Sequence, residues 1–127
     1  MTKIIIKNIP ETEPYLFATI AGLHFRGGLL RIPRIQSVKF VLTNKNLYLK
    51  VHGYLIDTTG PVKISLDSIT KLIIEQPAIK TFKTKYLTFV NTDDNRTKFT
   101  ITQEECSKIK EIFNDIAPTI EIEENIL

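Results

Sequence analysis

The stretch Val38-Lys39-Phe40-Val41-Leu42-Thr43-Asn44-Lys45-Asn46-Leu47-Tyr48-Leu49-Lys50-Val51 decides how the chain reads. Val38, Phe40 and Leu42 alternate with Lys39, Val41 and Thr43, and after Asn44-Lys45-Asn46 the pattern resumes as Leu47, Leu49 and Val51 against Tyr48, Lys50 and His52. Side chains on a strand point to opposite faces with period two, so each run predicts a half-buried strand. The short Asn-rich turn between them makes the pair a hairpin. The same alternation recurs downstream. Val62, Ile64 and Leu66 alternate with Lys63 and Ser65, an apolar run follows through Ile69, Leu72, Ile73 and Ile74, and Leu87 and Phe89 share one face of the next strand. Phe99 and Ile101 repeat the theme after the turn Asn91-Thr92-Asp93-Asp94-Asn95. Gly27-Gly28, His52-Gly53 and Thr58-Thr59-Gly60-Pro61 punctuate the remainder as turns. Strands at this spacing predict a mainly β domain, an antiparallel sandwich or barrel.

The period changes once. Thr102 followed three residues later by Glu105 reads as a capping box, and Cys106, Ile109, Ile112, Phe113 and Ile116 then recur at helical spacing until Pro118 stops the helix. One apolar stripe therefore faces the sheet, and Glu104 and Glu105 suit the helix N-terminus electrostatically. Beyond Pro118, Ile120 and Ile122 alternate with Glu121 and Glu123, so residues 119–127 are either an acidic tail or an edge strand. An extra strand is expected through Lys3 to Lys7.

Length and composition bound the rest. At 127 residues, 43% hydrophobic and 24% charged, the chain is expected to form one domain over residues 1–118, with a core that needs no covalent staple. One cysteine excludes an internal disulfide framework, and with two histidines it offers no metal-ligand set, so no metal and no cofactor are expected. The N-terminus lacks the apolar core of a signal peptide, and no stretch has the roughly 18 apolar residues of a membrane span. The expected location is cytoplasmic, either free or peripheral to a membrane.

The net charge of +3 hides an asymmetry. Residues 1–102 carry 15 Lys and Arg against 7 Asp and Glu, whereas residues 103–127 carry 2 against 7. Between Glu13 and Asp57 there is no acid, yet Arg26, Arg31, Arg34, Lys39, Lys45 and Lys50 lie there. A second acid-free span, from Gln76 to Thr92, holds Lys80, Lys83 and Lys85. Such a field attracts phosphates, anionic membrane or acidic protein; equally, lysines on strand faces and edges serve solubility and block edge pairing.

The hairpin wording Val38-Lys39-Phe40-Val41-Leu42-Thr43-Asn44-Lys45-Asn46-Leu47-Tyr48-Leu49 resembles that of GRAM and bacterial PH-like domains, with Asn46 where those families carry a basic residue. Val62-Lys63-Ile64-Ser65-Leu66-Asp67-Ser68-Ile69-Thr70-Lys71-Leu72 is similar to their following strand and turn. With the strand pair from Lys85 to Ile101 and the terminal helix, the resemblance covers about residues 26–116. It implies a strongly bent, seven-stranded sheet or barrel capped by the C-terminal helix, without catalytic machinery. Members bind lipid headgroups, peptides or proteins, so function does not follow from the fold.

Candidate sites follow from these patterns. Neither histidine lies in a nucleophile motif, and Cys106 sits on the apolar stripe, so no catalytic residue is expected. Arg26, Gly27, Gly28, Arg31, Arg34 and Lys39 form the candidate anionic site, because guanidiniums fork onto phosphate oxygens and glycines expose backbone amides. In headgroup-binding PH-like domains, basic residues around an early hairpin loop do this work. Lys39, Tyr48, Lys50 and His52 share one hairpin face, a basic and aromatic strip that admits nucleic acid as a less favoured ligand. Tyr54, Leu55 and Ile56, with Ile120 and Ile122, form a candidate partner edge, since a free strand edge invites pairing with another chain or another copy. The sequence thus favours a non-catalytic module for a protein partner or homo-oligomer, with an anionic membrane or phosphorylated ligand as the alternative. No small-molecule substrate is inferred.

Overall fold

The period-two run from Val38 to Val51 becomes two paired strands whose register places Val38 opposite Val51, Phe40 opposite Leu49 and Leu42 opposite Leu47. The computed structural model describes residues 4–27, 32–51, 62–77 and 83–126, with backbone alone at Arg26, Gly27 and Ile32. In chain order the elements are β1 (Tyr15–Gly27), β2 (Ile32–Thr43), β3 (Asn46–Val51), β4 (Val62–Ser65), a 3₁₀ turn (Leu66–Ser68), β5 (Ile69–Gln76), β6 (Thr84–Asn91), β7 (Arg96–Thr102), α1 (Gln103–Ile116) and β8 (Glu121–Ile126). The strands form one sheet in the order β4-β3-β2-β1-β7-β6-β5-β8. It is mainly β, with one helix near the C-terminus, and the sheet curls strongly into a half-barrel.

Three features depart from the expected architecture. The sheet has eight strands among the described residues, because β1 and β8 both join it. It is not wholly antiparallel: β8 runs parallel to β5, Lys71 opposite Glu121 through Gln76 opposite Ile126. A parallel return needs a crossover, and β6, β7 and α1 together supply it. Residues Ile4 to Lys7 form no strand. Ile6 is instead buried on the convex face with Val41 and Tyr48, flanked by Ile4, Ile9 and Ala18.

The curl encloses the main core. Val38, Phe40 and Leu42 of β2, Leu47 and Leu49 of β3, Leu72 and Ile74 of β5, Leu87 and Phe89 of β6, and Phe99 and Ile101 of β7 all face inward. The helix completes this core with Cys106, Ile109 and Phe113, which are buried at the predicted spacing. Phe40 meets Phe99 edge-on at 5.2 Å between centroids, Phe99 meets Phe89 at 5.7 Å, and Phe89 meets Phe113 at 5.8 Å. Such ring pairs add to area burial. The predicted capping box is present: Thr102 Oγ1 accepts from the Glu105 amide at 3.1 Å, while Glu105 Oε1 accepts from the Thr102 amide at 3.1 Å. Glu105 also accepts from Thr19 Oγ1, tying the first helical turn to β1.

Removing Phe99, which is fully buried against the rings of Phe40 and Phe89, is expected to lower the unfolding free energy by about 3–5 kcal/mol in Phe99→Ala. Thr102→Ala, which removes only the cap, is expected to cost about 1 kcal/mol. Urea denaturation followed by circular dichroism checks both.

Candidate functional site

The convex face near the N-terminus is organised by one buried carboxylate. Glu13 accepts from Asn46 Nδ2 at 2.7 Å, from Thr43 Oγ1 at 2.9 Å and from Tyr48 Oη at 3.0 and 3.1 Å. The Asn46 hydrogen bond holds the Glu13 carboxyl below the usual glutamate range, burial opposes it, and Thr43, Tyr48 and Lys45 assist. Burial, followed by the bond to Glu13, pushes the Tyr48 phenol up. Thr43 also serves the hairpin turn, accepting from the amides of Lys45 at 3.2 Å and Asn46 at 3.0 Å. Asn46 thus supplies the amide that fits Glu13 where the resembling families carry a basic residue. A carboxylate engaged by three side-chain donors is a clamp for the incoming chain.

The N-terminal segment engages two of the four residues in the basic and aromatic strip read as a less favoured nucleic-acid site. Tyr48 is buried beneath the N-terminal segment, and Lys39 Nζ donates to the Ile5 carbonyl at 3.1 Å, so the tyrosine presents no ring for base stacking. His52, the strip's fourth member, lies outside the described residues.

The remaining reactive side chains are placed as packing or turn elements. Cys106 is buried, and burial pushes its thiol up, away from thiolate character. His24 Nε2 lies 2.5 Å from Thr100 Oγ1, and its ring stands edge-on to Tyr86 at 5.6 Å. Burial and then the charge of Lys98 lower its pKa, and Lys98 Nζ itself sits 4.4 Å from the Tyr86 ring centre. Asn91 Oδ1 accepts from the amides of Asp93 and Asn95, each at 2.9 Å, which makes the acidic pair part of a turn with Asp94 at φ 61°. Among the described residues no group of three or more His, Cys, Asp or Glu could hold a metal ion.

The candidate anionic set is not gathered on one face. Phe25 pairs with Arg34 and Ile20 with Lys39 across β1 and β2. Since Val38 and Phe40 point inward, alternation sends Arg34 to the concave side and Lys39 to the convex side. Arg26 and Gly27 pair through their backbone with Pro33 and Ile32; Gly28 and Arg31 lie outside the described residues.

The partner edge is half relocated. Tyr54, Leu55 and Ile56 lie outside the described residues. Ile120 and Ile122 pack inward against the main core, so their side chains are not a contact surface. What β8 does present is its outer backbone edge, because the sheet ends there and, at the other side, at β4. Each end carries an exposed apolar residue, Ile126 (83%) on β8 and Val62 (57%) on β4. Two of the three β8 glutamates are paired internally, Glu123 with Lys71 at 2.8 Å and Glu124 with Lys110 at 3.0 Å. Sequence reasoning missed Glu13, although its place as the last acid before a long acid-free span was a visible signal. It also missed an apolar recess at the β4 side of the concavity, whose lining residues read only as strand alternation.

No protein-family model matches the sequence. No curated protein matches it either. Among solved structures the chain is similar to the C-terminal domain of an unknown protein from Leishmania infantum, at 12% identity over 81% of this chain and 84% of that one, with a TM-score of 0.55. It is similar also to the hSac2 domain from the human phosphoinositide phosphatase Sac2, at 15% identity over 94% of this chain and 79% of that one, again with a TM-score of 0.55. At these identities the likeness concerns the fold. No helix among the described residues is long and apolar enough to cross a membrane.

The clamp has a pH signature. Because the folded pKa of Glu13 is depressed, its contribution is fully present above the ordinary glutamate value of about 4.3 and is lost as pH falls through the lower folded value. Glu13→Gln is therefore expected to cost about 1–3 kcal/mol at pH 7, with the gap to wild type narrowing towards about pH 3. Paired urea titrations at the two pH values measure it.

Proposed function

We propose that the chain is a non-catalytic interaction module of PH-like type that binds protein, including a second copy of itself, by strand addition at β8. The observation that carries this reading is the outer edge of β8, which no strand among the described residues pairs; β8 is a six-residue strand at the end of the sheet, with the exposed Ile126 at its tip. An edge strand offers a row of backbone donors and acceptors, and an incoming extended segment satisfies them in register. The inward anchoring of Ile122 and the Lys71–Glu123 pair hold β8 in place as the template. Absence of catalysis is part of the same proposal. Its support is that Cys106 is packed in the core, His24 is lodged against Thr100 and Tyr86, and Glu13 is saturated with donors.

A second reading, recruitment to an anionic membrane or phosphorylated ligand, has one specific support: Arg34 is exposed and makes no ion pair among the described residues. Under that reading the chain cosediments with anionic but not neutral vesicles, less strongly as salt is raised from low to physiological concentration, and loses this in Arg34→Ala.

Light scattering across a concentration series tests the favoured reading. The expected result is a mass rising above 14.6 kDa towards a multiple of it, returned to the monomer value by Ile126→Lys. A constant monomer mass, joined to no binding of extended basic peptides to an immobilised chain, overturns it.

A further inference from the structure

A recess opens into the concave side of the sheet away from β8. It has a volume of about 380 Å³ and is lined by Leu23 of β1, Val38 of β2, Leu49, Lys50 and Val51 of β3, Val62 and Ile64 of β4, and Thr97 of β7. Six of these eight residues are aliphatic. Leu23 and Ile64 pack against the core yet are only partly buried, and Val62 is largely exposed. Apolar walls around a volume of this size, with few polar groups, describe a small-molecule site.

The rim supplies the polar half of the argument. On the β1–β2 ladder, successive inward-facing pairs are Ala21 with Val38, Leu23 with Gln36 and Phe25 with Arg34. The first two rows border the core and the recess, so the third stands about 7 Å further along the strands. That row carries an exposed aromatic residue, Phe25, and an exposed arginine, Arg34, one inward step beyond the lining residue Leu23. Three of the five strands forming the wall come from residues 15–51, a stretch without an Asp or Glu. The field at the opening therefore favours an anion, and a guanidinium donates two parallel hydrogen bonds to a carboxylate.

We propose that this recess is a binding site for a single-chain carboxylic acid, its hydrocarbon chain against Leu23, Val38, Leu49, Val51, Val62 and Ile64 and its carboxylate at Arg34. The recess accommodates one chain, which commits the site to a free monomeric amphiphile. This is independent of strand addition, which uses the opposite end of the sheet.

The test is a titration of sodium decanoate, below its micellar range, into the methyl-labelled full chain observed by NMR. The expected result is saturable one-to-one binding with a Kd on the order of 10–100 µM and shifts confined to methyls of the recess. Octanoate, two methylenes shorter, is expected to bind about tenfold more weakly. Val62→Trp, a change at an exposed position, fills the opening and is expected to weaken decanoate at least tenfold, whereas Lys108→Gln on the exposed face of α1 leaves it unchanged. Arg34→Gln is expected to weaken decanoate about three- to tenfold and to leave 1-decanol untouched. Non-saturable shifts, shifts on the convex face, or wild-type affinity in a folded Val62→Trp overturn the proposal. Recess shifts that arise with phosphatidylglycerol vesicles but not with free decanoate assign the chain to a bilayer lipid and also overturn it.

Discussion

The whole structure depends on one packing constraint: a sheet curled tightly enough to put Phe40, Phe89 and Phe99 in mutual contact needs something to fill the concavity, and Phe113 and Ile109 of α1 fill it. Among the described residues eight strands curl around that stripe without closing, because β4 and β8 end the sheet on opposite sides. Closure abolishes edges; a half-barrel retains two. The apolar stripe of the helix therefore goes with both a filled core and a sheet that keeps its outer edges.

The convex side obeys a different constraint. Outward residues of β2 and β3 include Val41 and Tyr48, which a solvated face would leave exposed, and the chain entering from the N-terminus covers them with Ile6. Glu13 then has to be buried close to the turn between β2 and β3. Its burial is offset only because Thr43, Asn46 and Tyr48 all donate to it. Charge at the other end is handled similarly: Lys71 and Lys110 neutralise two glutamates of β8, so this acidic strand can lie along β5.

Much of the architecture was legible because it rests on local signals. The alternation from Val38 to Val51, the cap at Thr102 and the spacing of Cys106, Ile109 and Phe113 each encode direction and period within a few residues. β1 was harder to read, because its inward residues Phe17, Thr19, Ala21 and Leu23 mix sizes and polarity, and its outward row includes Ala18 and Ile20. The parallel pairing of β8 was not legible at all, since alternation specifies a strand but not its neighbour or direction. The candidate sites fared less well for the same reason. Arg34 and Lys39 are five residues apart in sequence, and an odd separation on a strand sends them to opposite faces. Ile120 and Ile122 read as exposed only if the tail lies apart from the core that it covers.

Amide hydrogen exchange of the dilute chain tests the central claim, that the curled sheet ends at β8 with one side docked and one side open. The account predicts slow exchange through β5, β6 and β7 and an alternating pattern along Glu121 to Ile126, slow where the amide faces β5 and fast where it faces out. Uniformly fast exchange along those residues would show that β8 is not docked, and uniform protection would show that its edge is already covered; either result contradicts the account.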